Sequence, residues 1–143
     1  MTTEKSASIE YRVPYADTDM MGVVYYGNYL TLFERCRNEL MRKTGMTYKQ
    51  LEIDGAMLPV IEAHVNYKHP AKYDDLLKVT AWMDLIEGAR IRIKCTVECD
   101  GVLLATGHTV HCCVSTKTMR PMRIPKFMID FGTMPTDSKY GDE

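Results

Sequence analysis

The sequence predicts an α+β domain in which a curled antiparallel sheet of five strands wraps around one long helix. Only one long stretch, from about Val24 to Thr44, carries helical periodicity. Around it lie stretches whose apolar residues alternate with a period of two, one before the helix and four after it. A helix with a single apolar stripe and a meander of long antiparallel strands can satisfy each other only if the sheet curls around the helix.

The first strand is Ile9 to Val13, with Ile9, Tyr11 and Val13 on one side, Glu10 and Arg12 on the other, and Pro14 closing it. The polar stretch Tyr15 to Gly22 holds two carboxylates, Asp17 and Asp19, and reads as a loop. In the helix that follows, Tyr26, Leu30, Phe33, Arg37, Leu40 and Met41 fall on one stripe, with Gly45 placed for a left-handed C-cap. Glu34 and Arg37 fall within the apolar arc, so they are expected to be buried and to compensate each other. Thr47-Tyr48-Lys49-Gln50 has the capping-box pattern of a short second helix ending near Gly55. Strands then run from Leu58 to Tyr67, from Leu77 to Leu85, and, after a turn at Gly88, from Ile91 to Cys99. Asp100-Gly101 is a tight-hairpin signal, and Val102 to Val114 is apolar on both sides in places, as a central strand is.

The 143 residues make one domain, 1–143, with its core at about 8–128 and a polar tail from Thr133 expected to fray. Hydrophobic residues at 45% and charged residues at 26% match a globular chain in water. Eighteen basic against nineteen acidic side chains, a net charge of -1, argue against nucleic acid or an anionic membrane as partner. No apolar run approaches the ~20 residues of a membrane span, and the first residues lack the build of a signal peptide. Cys36, Cys95, Cys99, Cys112 and Cys113 are odd in number and not in metal spacing, so a reduced, cytoplasmic chain is expected. His64, His69, His108 and His111 are spaced for no common metal motif and read as packing or surface residues.

The chemistry concentrates where the carboxylate loop feeds into the long helix. The first turn of a helix carries unpaired N–H groups and the positive end of the macrodipole, so it suits an anion or an incipient oxyanion. A carboxylate beside those groups completes a minimal acyl-transfer site, with one electrophilic pole and one base or nucleophile. Acidic loops before helices are common as caps, and Asp17 is most simply a loop-satisfying residue of that kind. No G-x-S-x-G motif and no cysteine beside a base offers another nucleophile.

The segment Asp17-Thr18-Asp19-x-x-Gly22-Val23-Val24-Tyr25-x-x-Asn28-Tyr29, followed by Phe33-Glu34-x-x-Arg37, resembles the signature of the hotdog-fold acyl-CoA thioesterases. The branch it resembles is that of 4-hydroxybenzoyl-CoA thioesterase and the YbgC-like enzymes. Asn66 to Asp75 and Met119 to Pro125 resemble further segments of that family, so the similarity covers about residues 8 to 128. The resemblance implies a hotdog fold and hydrolysis of an acyl-CoA thioester without metal or redox cofactor. It implies Asp19 as nucleophile or general base, the Tyr26 backbone N–H as oxyanion donor, and Gly22 as a residue shaping the turn. Some YbgC-like members carry histidine where this chain has Tyr26, a change that leaves a backbone donor intact.

Other branches of the fold use a helix glutamate as base, which keeps Glu34 a lesser candidate. Arg90 and Arg92, and the basic run Lys117, Arg120, Arg123 and Lys126, are candidates to meet the coenzyme A phosphates, although a solvated face is the simpler reading of each. The resemblance also implies a homodimer or dimer of dimers, hence a homotetramer, with the site between subunits. Two other readings compete: a hotdog hydroxyacyl dehydratase, disfavoured because no histidine occurs between Tyr11 and Ala63, and a non-catalytic acyl-binding module.

Overall fold

The computed structural model describes residues 5–135. Five strands form one antiparallel sheet: β1 (Ser6–Arg12), β3 (Val60–Tyr67), β4 (Leu76–Glu87), β5 (Arg90–Cys99) and β6 (Val102–Cys112). Helix α1 (Asn28–Lys43) packs against β1 and β4, and the short α2 (Tyr48–Ile53) follows it. Strands β2 (Ala56–Met57) and β7 (Val114–Ser115) make a separate two-stranded pair, and α3 (Lys126–Phe131) closes the described chain.

The α+β class and the sheet around the helix are as expected from the sequence. The strand order, β1-β4-β5-β6-β3, is not that of a simple meander. β3 pairs with β6 rather than with β4, its successor in sequence, because β1 already occupies that side of β4. Both β1 and β3 are therefore edges. The β1 edge is partly covered from α1: Lys43 Nζ donates to the Ser6 carbonyl at 2.6 Å, and the Cys36 thiol to Ala7 and Val79 carbonyls at 3.4 and 3.3 Å. Burial pushes that thiol up to about 12, so Cys36 behaves as a small apolar residue with a weak donor. Among the described residues all five cysteines are free, and no helix is long and apolar enough to cross a membrane.

Several local signals act as written. Gly45, at φ +95°, ends α1 by donating its N–H to the Arg42 carbonyl at 2.9 Å. Thr47 caps α2 by accepting the Gln50 N–H at 3.1 Å, while the Gln50 side chain turns to Asp54 instead of completing the box. Asp100 and Gly101 both have positive φ, 51° and 79°, as a tight two-residue hairpin with right-handed strand twist demands.

Other expectations are corrected. The helix begins at Asn28, not near Val24, because Val23 and Val24 are engaged in β-bridges with Lys72 and Thr18. Its buried face comprises Tyr29, Leu32, Phe33, Cys36, Leu40 and Met41, while Tyr26 and Leu30 are exposed. Of the tail expected to fray from Thr133, the described part makes one backbone bond, the Met134 N–H donating to the Met83 carbonyl at 2.8 Å. The part of the tail past residue 135 lies outside the described residues.

Gly107 sets how closely helix and sheet approach. It faces the core on β6, and a Cβ there would overlap the His64 carbonyl oxygen of β3 and come within 2.6 Å of the fully buried Phe33 ring. Gly107→Ala is expected to cost about 2–3 kcal/mol, since neither a strand backbone nor a packed ring yields easily. Calorimetry should show the unfolding midpoint falling by roughly 5–10 °C; an unchanged midpoint would mean the β3–β6 pair opens freely.

Candidate active site

The loop between β1 and α1 is pinned by its own polar groups. Tyr15–Asp17 form a 3-10 turn, and the Asp17 carboxylate accepts the Tyr11 hydroxyl at 2.5 Å. Burial, then the Asp17 hydrogen bond, pushes the Tyr11 phenol up, so it stays a donor. The Asp17 carbonyl accepts the Tyr25 N–H at 2.9 Å and the Asn28 side-chain amide at 3.1 Å. Asp17 therefore holds the loop against β1 and against the start of α1, in line with its structural reading.

Asp19 sits in a tighter turn two residues on. Its N–H donates to the Val23 carbonyl and its carbonyl accepts the Gly22 N–H, both at 2.9 Å. Gly22 has φ +80°, a backbone conformation that a side chain disfavours. One carboxylate oxygen, Oδ1, accepts the Met21 N–H at 2.8 Å. The other, Oδ2, has no hydrogen-bond partner among the described residues, and the side chain is half-buried. The loop is anchored to the connection between β3 and β4 by the Val24 N–H, which donates to the Ala71 carbonyl at 2.8 Å.

The polypeptide then enters α1 through Tyr25, Tyr26 and Gly27. The Tyr25 carbonyl accepts the Asn28 N–H at 2.9 Å; the Tyr26 carbonyl accepts the Tyr67 hydroxyl at 2.9 Å and the Tyr29 N–H at 3.3 Å. The N–H groups of Tyr26 and Gly27 have no acceptor among the described residues, and Gly27 brings no side-chain cap. These are orphan donors at the positive end of a sixteen-residue helix. Beside them opens a cleft of ≈ 270 Å³ lined by Val23, Tyr29, Tyr67, Lys68, His69 and Pro70. Met20 and Met21 on the loop, and Tyr25 and Tyr26 at the helix start, are exposed.

Asp19, Gly22 and Tyr26 thus belong to one continuous loop-to-helix unit. Glu34 and Arg37 do not form the expected pair: Glu34 is exposed, and no ion pair joins the two. The rotation of the buried face toward Tyr29, Leu32 and Cys36 carries Glu34 out to solvent. Arg37 is half-buried with its Nε lacking a partner among the described residues, and its charge acts on Tyr48, Cys95 and His111. His111 is held neutral in the core, its pKa lowered to about 4 mainly by burial, between the Leu58 carbonyl at 2.9 Å and the Thr109 hydroxyl at 2.8 Å. Glu34→Gln and Arg37→Met are now expected to be additive in stability to within about 0.5 kcal/mol. A coupling above about 1 kcal/mol in denaturant unfolding would restore the pair.

Arg90 opens β5 opposite Cys112, at the end of the sheet away from Tyr67, so one protomer does not bring it to Asp19. Among the described residues no three histidine, cysteine or carboxylate side chains gather as a metal site would require. Sequence reasoning missed Tyr67 and Tyr29 as walls of the cleft; the signal was the aromatic residue ending the strand just before Lys68-His69-Pro70.

A five-stranded antiparallel sheet around one long helix is the architecture of hotdog-fold proteins. The model of the thioesterase-like superfamily matches residues 13–131, and the chain belongs to that family. An acyl-CoA thioesterase, YbgC, of Haemophilus influenzae is 33% identical over 120 residues, which is 83% of this chain and 88% of that protein. The DHNA-CoA thioesterase structure from Staphylococcus aureus superposes with a TM-score of 0.80 at 34% identity, covering 88% of this chain and 85% of that one. The structure of a hypothetical protein from Thermus thermophilus gives 0.81 at 30% identity, covering 87% and 95%.

Proposed function

We propose that this protein hydrolyses an acyl-CoA thioester to a free acid and coenzyme A, with Asp19 as nucleophile or general base. The observation that carries the reading is the free Oδ2 of Asp19 on the same short loop that ends in the unpaired Tyr26 N–H. In the first role Asp19 attacks the thioester carbonyl, the C–S bond breaks, and coenzyme A leaves as thiolate. Water then hydrolyses the acyl-aspartate anhydride, supplying the second acid oxygen and the thiol proton. In the second role Asp19 takes a proton from the attacking water and returns it to the departing sulfur. Either way a tetrahedral oxyanion forms, and the Tyr26 N–H with the helix dipole stabilises it more than the ground-state carbonyl. Gly22 supports the turn that presents Asp19. The names of relatives that act on acyl-CoA substrates support the reaction class.

The reaction as written needs no metal or redox cofactor, and free cysteines fit a cytoplasmic setting. The working unit is a homodimer, or a dimer of dimers, joined along the open β3 edge. A two-fold axis there pairs β3 antiparallel with its copy, so the end of the sheet that carries the partner's Arg90 comes beside the Tyr67 end of this chain. That brings a further cation for the coenzyme A phosphates to a cleft that already carries Lys68.

Release of free thiol from short, long and aromatic acyl-CoA thioesters tests the reading directly. Turnover of at least one class is expected; no thiol release from any would overturn it.

A further inference from the structure

Tyr67 ends β3 and touches the start of α1 twice. Its hydroxyl donates to the Tyr26 carbonyl at 2.9 Å, and its ring meets the Tyr29 ring edge-on, centroids 5.1 Å apart at 85°. Tyr29 is only 3% exposed, so this contact is rooted in the core. The same carbonyl accepts the Tyr29 N–H at 3.3 Å, which makes the hydroxyl the shorter of its two bonds. In a planar trans peptide the carbonyl and the following N–H point in opposite directions. Holding the Tyr26 carbonyl therefore aims the Gly27 N–H. The preceding peptide is held in the same way, by the Asn28 N–H on the Tyr25 carbonyl, and this aims the Tyr26 N–H. Two consecutive unpaired donors result, each backed by an anchored carbonyl, but only the second anchor is a side chain. A bond accepted at the carbonyl also polarises the peptide and strengthens its N–H as a donor. Burial, then the neighbouring Tyr26, pushes the Tyr67 phenol up, so the hydroxyl keeps its proton at neutral pH.

We propose that Tyr67 is a positioning residue: its hydroxyl fixes the Tyr26–Gly27 peptide so that the Gly27 N–H joins the Tyr26 N–H as a second donor to the oxyanion. The proposal rests on the thioesterase reading above and adds a residue that acts through the backbone rather than on the substrate.

Tyr67→Phe in the full chain tests it, because the ring and its contact with Tyr29 remain and only the hydroxyl goes. Deleting an oxyanion donor outright costs ~100- to 1,000-fold in kcat; loosening one should cost ~10-fold, with KM within about twofold. Amide relaxation in the substrate-free protein gives a second readout, in which the Gly27 order parameter should fall from about 0.85 toward about 0.6. An unchanged kcat, or a raised KM at unchanged kcat, would overturn the proposal and leave Tyr67 as a wall of the cleft. An unchanged Gly27 amide would overturn it as well. A wild-type chain that releases no thiol would defeat the thioesterase reading and with it the oxyanion role. The Gly27 amide would then still decide whether the hydroxyl holds the peptide.

Discussion

Asp19→Asn is expected to slow thiol release by at least ~100-fold, about 2.7 kcal/mol of transition-state stabilisation, while the fold survives. Asparagine keeps the volume and the oxygen that accepts the Met21 N–H, so the Asp19–Gly22 turn should persist. What it removes is the charge and the nucleophilic or basic Oδ2. Asp17→Asn is the matched control. Asp17→Asn touches only the carboxylate that accepts the Tyr11 hydroxyl, since the backbone carbonyl bonds to Tyr25 and Asn28 survive the change, so it should cost about 1 kcal/mol of stability and little chemistry. Rate assays and thermal melts on both variants separate the two roles. An active Asp19→Asn beside an inactive Asp17→Asn would show that the wrong carboxylate carries the reaction.

What was legible in the sequence was local. Gly45 past the helix, Thr47 before α2 and Asp100-Gly101 between two strands each state a backbone conformation within a few residues, and each adopts it. What depended on distant partners was not legible. Two overlapping stripes run along α1, both containing Phe33, Leu40 and Met41; one adds Tyr26 and Leu30, the other Tyr29, Leu32 and Cys36. Packing against the sheet, on β1 and β4 above all, selects the second. The same rotation exposes Glu34. The pairing of β3 with β6 depends on where β1 lies, which no alternation pattern encodes. At the site, the motif around Asp19 and Tyr26 was readable because it is contiguous. The contact of Tyr67 was not, because it needs a residue forty-one positions away to meet the helix start. Helix α3 was missed because six residues after Pro125 are too few to show a period.

Val65→Lys should break assembly and activity together. Val65 is half-buried on the inner face of β3, opposite Gly107 of β6, and β3 has a sheet neighbour on one side only. Helix α1 makes its larger contacts with β1 and β4 and reaches the β3 end of the sheet through Tyr29 on Tyr67 and Phe33 over Gly107. Val60, Ile61 and Tyr67 are exposed by 46%, 50% and 47%, an apolar edge with unpaired backbone groups and one acid, Glu62. A second copy paired along that edge would cover those side chains and continue the sheet. A lysine at the centre would then have to lose its hydration without a partner, a cost of several kcal/mol. Wild-type light scattering should report a multiple of 16.4 kDa, and Val65→Lys a monomer with at least ~10-fold lower activity. Because Val65 also borders the core, Ile61→Lys serves as the companion: that residue is half exposed in the monomer, so its replacement should leave the protomer folded and still disrupt the pair. A fully active wild-type monomer at assay concentration would defeat both expectations. It would also force the cations for coenzyme A to come from the same chain as Asp19, where Lys68 lines the cleft and Arg90 lies at the far end of the sheet.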